Sequence, residues 1–485
     1  MRGSEKSIVK NISLNWIKYL NSLIFPLITF AYASRILGAS SLGKIDYSRS
    51  IVSYFALFAS LGISNYGVRE VAKVRDDKTR LSKVVKEILC INILSSTVAY
   101  CALFLVVFPV GKLYEYKDLI LISSISIMFT ACGLDWLYSA MEDYLYITVR
   151  SFVFQIISLI FMFLLVKDAD DYIAYACIIV FSSTGSNVLN LIHSRKYITY
   201  RGVEGIQIRK HIRPILVFFS ITLAVNVYVS LDTTMLGWMT NDTQVGFYSA
   251  AVKMSRIVCS LITSVCGVLL PRLSYYAENK DRQNYDKLLM NAWRFMCFLM
   301  IPGAIFLFFM SREILLLFSG GGYIDAVPTS MILSVIVLFI PVSTFISHQI
   351  YIPLGCEKYQ LAGTVTGAVS NVIFNAFLIP LFAANGAAAG SALAEFTVVV
   401  IAFILGNRCF PMVRLLKSSI RYVAAGSATA AVFVLLNRTE LPILPSLLMK
   451  SVVAGLVYIA ALLILREEGL NTMVGMVKNK IKKER

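Results

Sequence analysis

Runs of about 20 predominantly apolar residues recur from one end of this chain to the other, each long enough to carry a helix across a hydrocarbon layer about 30 Å thick. No other feature restricts the fold so strongly, because backbone groups in lipid must be satisfied internally, which leaves helices or closed barrels. Barrel strands are about 10 residues long and alternate in polarity, whereas these segments are long and apolar on nearly every side. They are therefore expected to be helices. Marking them along the sequence gives about fourteen spans, beginning near Leu14, Ile45, Ile88, Leu119, Thr148, Tyr172, Pro214, Val245, Ala292, Pro328, Leu361, Ala387, Ile420 and Ser446. With 58% hydrophobic and 15% charged residues and a mean hydropathy of +0.73, the 485-residue chain is too apolar for a soluble fold. The fold class expected is an all-α polytopic membrane protein.

Residues 1–13 are polar and basic and run into the first span without a small-residue cleavage site, so the first helix is expected to act as its own address. Seven of the nine cysteines, from Cys90 to Cys297, lie in or beside apolar runs without metal-ligand spacing; packing is their expected role, and no metal site is expected. The basic residues set an orientation. With the N-terminus inside, cytoplasmic segments such as 69–86, 194–213 and 272–287 collect about 32 of the 45 Lys and Arg, with Arg150 counted in one of these loops. Both termini are then cytoplasmic. The net charge of +17 is spread over many short loops on one side, which points to topology and to contact with anionic lipid headgroups rather than nucleic acid.

The longest polar stretch, 194–213, is about 20 residues, so no soluble domain fits and any function is intramembrane. That stretch is also the expected divide between an N-lobe (residues 1–205) and a C-lobe (206–414), with 415–485 forming an additional helix pair and a basic cytoplasmic tail. Two echoes support the division. Leu37-Gly38, Leu42-Gly43 and Tyr47-Ser48 return as Leu236-Gly237, Val245-Gly246 and Tyr248-Ser249, and Glu142-Asp143-Tyr144 returns as Glu357-Lys358-Tyr359. Both join helices about six spans apart, so two six-helix lobes would be related by a parallel pseudo-two-fold repeat.

Ionisable groups inside spans select surfaces that face water or a partner, since a charge at the bilayer centre costs about 2.5 to 3.5 kcal/mol. Asn11, Asn15, Lys18 and Ser22 share one helical stripe on the first span; Ser249, Lys253, Arg256, Ser260 and Thr263 share one on the eighth. The seventh adds Asn226, Ser230 and Thr234, with Asp232 near its outer end, and the ninth opens with Arg294. Arg35 and Arg49 flank the first turn. Lys18 and Arg294 have a plainer reading as residues that snorkel to headgroups. Lys253 and Arg256 lie too deep for that, and a cationic cavity suits a phosphate or pyrophosphate, which Arg grips in bidentate fashion. Asp232 reads equally as a counter-ion to Lys253 or Arg256, or as an ion-coupling group. His348 and Glu395 are further coupling candidates whose alternative is helix packing. Asp135-Trp136 reads as an interfacial anchor. No phosphate loop, zinc-protease helix or nucleophile elbow is present, so catalytic residues and a bound cofactor are not expected.

Several segments together resemble the bacterial O-antigen and polysaccharide flippases (Wzx-like) of the multidrug/oligosaccharidyl-lipid/polysaccharide exporter superfamily. They are Arg35-Ile36-Leu37-Gly38, the run from Leu61 to Glu70, Asp135-Trp136-Leu137-Tyr138 with Met141-Glu142, Val245-Gly246-Phe247-Tyr248-Ser249-Ala250-Ala251, Pro271-Arg272-Leu273-Ser274, and the run from Gly386 to Gly390. The resemblance implies twelve core helices in two lobes plus an extra pair, and a cationic cavity that opens alternately to each side of the bacterial inner membrane. The implied substrate is an undecaprenyl-pyrophosphate-linked oligosaccharide; the family's cationic residues vary in position, so its expected contacts, Lys18, Arg35, Arg49, Asn226, Lys253, Arg256 and Arg294, are chosen by their places on the polar stripes. A proton or sodium gradient is the implied energy source, with Asp232, His348 and Glu395 as coupling groups. A polysaccharide polymerase and a chain-length regulator are the implied protein partners. Two other readings stay open: a cation-coupled drug or small-solute exporter, which would favour acidic cavity groups, and a membrane-embedded glycosyltransferase or polymerase, which would favour a large outer loop.

Overall fold

A computed structural model of the chain describes residues 2–199, 207–437 and 441–467, with side chains from residue 24 onward apart from residue 131 and a few in the seventh span. All regular structure among these residues is helical, as expected. Ten helical stretches are long and apolar enough to cross a membrane. The chain forms two compact units, Met1–Gly246 and Phe247–Arg485.

The first unit contains α1 (Arg2–Ser60), α2 (Ile63–Ala72), α3 (Lys78–Val107), α4 (Gly111–Tyr114), α5 (Lys117–Ala131), α6 (Asp135–Ala140), α7 (Tyr144–Leu165), α8 (Tyr172–Val180), α9 (Asn187–Ser194) and α10 (Arg209–Met239). A straight α1 of 59 residues would be about 88 Å long, far beyond a bilayer. Gly38 breaks it, with φ 72° and ψ 178°, a backbone region open to glycine and costly for other residues. Tyr32 before the break and Ser41 after it hydrogen-bond to the carbonyls of Val166 and Ala169, so both arms meet the same short segment. Three hydroxyl contacts tie the second arm of α1 to α10: Ser53 Oγ to Ser230 Oγ at 3.1 Å, Tyr54 OH to Thr234 Oγ1 at 3.0 Å, and Thr234 Oγ1 to Ser50 Oγ at 3.0 Å.

The fourth span is interrupted between α5 and α6. The last carbonyls of α5 take both backbone and side-chain donors: Phe129 O accepts from Cys132 N at 3.2 Å and Asn187 Nδ2 at 3.1 Å, and Thr130 O from Gly133 N at 3.0 Å and Asn92 Nδ2 at 3.3 Å. Backbone turns and neighbouring helices thus satisfy the interrupted span where lipid offers no donors. At the start of α3 the Asp77 carboxylate accepts from the backbone N–H of Thr79 and Arg80, a conventional N-cap.

The second unit contains most of α11 (Asp242–Glu278), α12 (Arg282–Phe309), α13 (Ser311–Ser319), α14 (Val327–Ser334), α15 (Ile336–Phe345), α16 (Glu357–Gly406), α17 (Val413–Leu436) and α18 (Ile443–Ile464). At 50 residues α16 is also too long for one crossing, and Ala383 bends it (φ 49°, ψ −123°). A Cβ on Gly386 would lie 2.1 Å from Leu378 O, one on Gly390 2.2 Å from Asn375 Oδ1, and one on Gly367 2.3 Å from the Val398 side chain. These pairs step in opposite directions along the two arms, so α16 is an antiparallel hairpin with a glycine-lined seam, the small-residue packing that membrane helices favour. Cys356, just before α16, forms a disulfide with Cys409, just after it. The polarity of the molecule is that of a membrane protein: Leu105, Phe377 and Ile464 are 71–80% exposed, whereas Ser124, Ser158, Asn371 and Gln349 are fully buried.

Candidate functional site

The cationic stripe on α11 is present in the folded helix. Lys253 is half-buried; Arg256, one turn on, is exposed and among the described residues makes no hydrogen bond or ion pair through its side chain. It lies well inside a 37-residue apolar helix, where an exposed guanidinium needs water or an anion.

The other sequence candidates fall as follows. Arg35 and Arg49 are exposed on the two sides of the Gly38 break, with Arg49 4.0 Å from Asp46. Asn226 is exposed and returns its amide to Thr222 O, while Ser230 and Thr234 of the same stripe are used in packing against α1. Asp232 is buried at 6% exposure. Arg294 lies 3.9 Å from the buried carboxylate of Glu467, so its charge is matched within the second unit. His348 is half-buried in a π-helical turn, Ile346–Tyr351, and Glu395 is half-buried on α16. Lys18 lies on the first arm of α1 in the stretch whose side chains are outside the described residues.

Arg150 departs from its sequence reading. Counted with the cytoplasmic loops, it belongs to α7 and is 6% exposed. Its Nη2 donates to Asp135 Oδ1 at 2.8 Å, its Nη1 donates to the side-chain carbonyl of Asn190, and Asn190 Nδ2 donates to the same Asp135 oxygen at 3.1 Å. The Asn190 carbonyl accepts from Tyr138 OH. Asp135, read as part of an interfacial anchor, is thus the counter-ion of a buried arginine. The break between α5 and α6 starts α6 at Asp135, and α7 and α9 carry its two partners. Tyr146 lies under Arg150 at 5.6 Å and stacks on His193 at 3.8 Å.

His193 Nε2 is 3.2 Å from Asp143 Oδ2, which also accepts from Tyr197 OH at 2.7 Å, with Lys196 at 4.0 Å. Burial pushes the Asp143 carboxyl up, but the bonds from Tyr197 and His193 and the charge of Lys196 outweigh it and hold the group below the usual carboxylate value.

A second polar centre anchors the start of α10. Glu87 is fully buried and accepts from Gln207 N at 2.7 Å and Lys210 Nζ at 2.7 Å; His211 Nε2 lies 2.8 Å from it. The other ring nitrogen of His211 pairs with Tyr66 OH. Arg69 lies over Tyr66 and Phe218, 5.4 and 5.2 Å from their ring centres. In the second unit, Lys450 on α18 is 3% exposed and donates to Glu313 Oε1 on α13 and to Asn437 Oδ1, both at 3.0 Å. The sequence offered one signal for these centres: Arg150 and Lys450 each fall within an apolar run.

Comparison with known proteins follows this geometry. A family profile described as polysaccharide biosynthesis protein matches residues 8–277. A provisionally assigned O-antigen transporter of Shigella dysenteriae is 22% identical over 401 residues, 82% of this chain and 98% of that protein. One from Escherichia coli strain K12, equally provisional, is 20% identical over 418 residues, covering 84% and 99%. Among solved structures, the lipid II flippase MurJ in an inward closed conformation superposes with a TM-score of 0.72 at 18% identity, over 94% of this chain and 98% of that one. An inward-facing multidrug resistance MATE transporter of the MOP superfamily superposes with a TM-score of 0.58 at 15% identity, over 84% and 99%. The fold is shared with both of these solved structures.

Proposed function

Since this chain belongs to the polysaccharide biosynthesis protein family, we propose that it is a flippase for lipid-linked oligosaccharide. Its substrate is an undecaprenyl-pyrophosphate-linked O-antigen or capsule repeat unit, moved from the cytoplasmic to the periplasmic leaflet of a bacterial inner membrane. The observation that carries this reading is Arg256: an exposed guanidinium without a partner among the described residues, deep in an apolar helix, suits a water-filled path that takes a pyrophosphate. Lys253 shares that stripe, and within the first unit Arg35, Arg49, Asn226 and Lys18 are the further residues proposed to meet the substrate. Arg294 serves the path less directly, because Glu467 already faces it. Alternating access is driven by a proton or sodium gradient through Asp232, His348 or Glu395, and both termini face the cytoplasm.

The test is flipping of a labelled polyprenyl-pyrophosphate oligosaccharide in proteoliposomes under imposed ion gradients. The parent is expected to flip it, and Lys253→Ala/Arg256→Ala at equal reconstitution to lose most of that activity. Undiminished flipping in the double variant removes the stripe from the path; no flipping by the parent overturns the reading.

A further inference from the structure

The first turns of α10 have two unlike faces. One is fixed: His211 and Ile215 are buried, and Lys210 and His211 occupy the Glu87 carboxylate. The opposite face is uncovered among the described residues and presents Arg209, Ile212, Arg213, Leu216, Val217 and Ser220 on one shallow, open surface. Arg209 and Arg213 are exposed, one turn apart, and neither makes an ion pair or side-chain hydrogen bond among the described residues. Below them Ile212, Leu216 and Val217 are 45, 49 and 59% exposed.

From this we infer a docking site for a polyprenyl diphosphate lipid, with the diphosphate on Arg209 and Arg213 and the chain along Ile212, Leu216 and Val217. The site deepens the proposed function and rests on that reading for its role as an entry point.

Three observations select this occupant. Charge is complementary, since Glu87 is taken by Lys210 and His211, which leaves the Arg209 and Arg213 guanidiniums for an anion. The distance from Arg209 to Ser220 is about 16 Å along the helix axis, close to the depth of one leaflet, which matches an amphiphile standing in the membrane and exceeds what a free anion uses. Two forked guanidiniums one turn apart match the two phosphoryl groups of a diphosphate.

The test is native mass spectrometry of the full chain in detergent with undecaprenyl diphosphate as probe, alone and against excess phosphatidylglycerol or inorganic pyrophosphate. The parent is expected to retain the probe against both competitors. Arg209→Gln/Arg213→Gln should lose about tenfold or more of its occupancy at unchanged melting temperature. Leu216→Asn, which leaves the cations in place, should also lose occupancy. Equal occupancy in the parent and the arginine variant overturns the site, as does full displacement by phosphatidylglycerol, the mark of an ordinary boundary lipid, or by pyrophosphate, the mark of a free-anion site. The flipping assay separates the two claims. A parent that flips while the arginine variant binds normally overturns the site alone; a parent that never flips while the variant loses the probe upholds the site and overturns the function.

Discussion

Gly43 and Gly246 face each other in backbone contact: a Cβ on Gly43 would lie 2.9 Å from Gly246 N and 1.7 Å from Asp242 O, and one on Gly246 would lie 2.0 Å from Ala39 O. They are the two glycines that the Leu-Gly echo pairs across about 200 residues of sequence. Neither contact leaves room for a methyl group. Gly43→Ala is expected to cost about 1–3 kcal/mol or more, read as a fall in melting temperature in detergent. Gly267 sits in α11 with no neighbouring atom within 4 Å of an added Cβ. Gly267→Ala should be neutral or slightly stabilising, by up to about 1 kcal/mol. Equal effects at the two sites would show that the Gly43 contact is not tight.

Removing Arg150 takes the donor from the Asn190 side-chain carbonyl and the positive charge from Asp135, which keeps the hydrogen bond from Asn190 Nδ2. Asp135 is 42% exposed and can regain water, so Arg150→Ala should fall at or below the lower end of the ~3–5 kcal/mol seen on breaking a buried pair. Arg150→Lys should recover little, because one ammonium cannot reproduce the fork that reaches both acceptors. Thermal unfolding of the purified variants reads both effects, and full recovery by lysine would exclude the forked arrangement.

Lys450 and Glu313 have side chains only 4% and 11% exposed. Lys450→Met strands the Glu313 carboxylate and should destabilise by about 3–5 kcal/mol. Lys450→Met/Glu313→Leu should recover most of the loss, because an apolar pair avoids desolvating two charges. A double variant as unstable as the single one would mean that the cost lies in packing.

Acid should weaken the first unit at Asp143. Its folded value is depressed, so its contribution is complete above the unfolded carboxylate value of about 4 and disappears as pH falls through the lower folded value. Melting temperature measured from about pH 6 to pH 3 should therefore drop less in Asp143→Asn than in the parent. Parallel curves would remove Asp143 from the acid response.

The helices and their lipid-facing character were legible because hydrophobicity is a local property: runs such as those that become α3, α7 and α18 announce themselves within their own residues. Charge pairing is not local. Asp135 meets an arginine 15 residues away and an asparagine 55 residues away, and Glu87 meets Lys210 and His211 more than 120 residues away; nothing near any of them in sequence names its partner. The same blindness split the stripe on α10, where Ser230 and Thr234 serve packing and only Asn226 remains open. Arg209 and Arg213 were hidden for another reason. In a loop dense with basic residues, topology accounts for all of them equally, and only folding shows which have been neutralised.

The glycine seam of α16 has a mechanical consequence. At Gly386 the arms meet backbone to backbone, and at Gly367 and Gly390 a side chain of one arm, Val398 or Asn375, fills the space a methyl group would take on the other. A side chain larger than hydrogen at any of the three wedges the arms apart, so the seam resists sliding and the hairpin is expected to move as one piece.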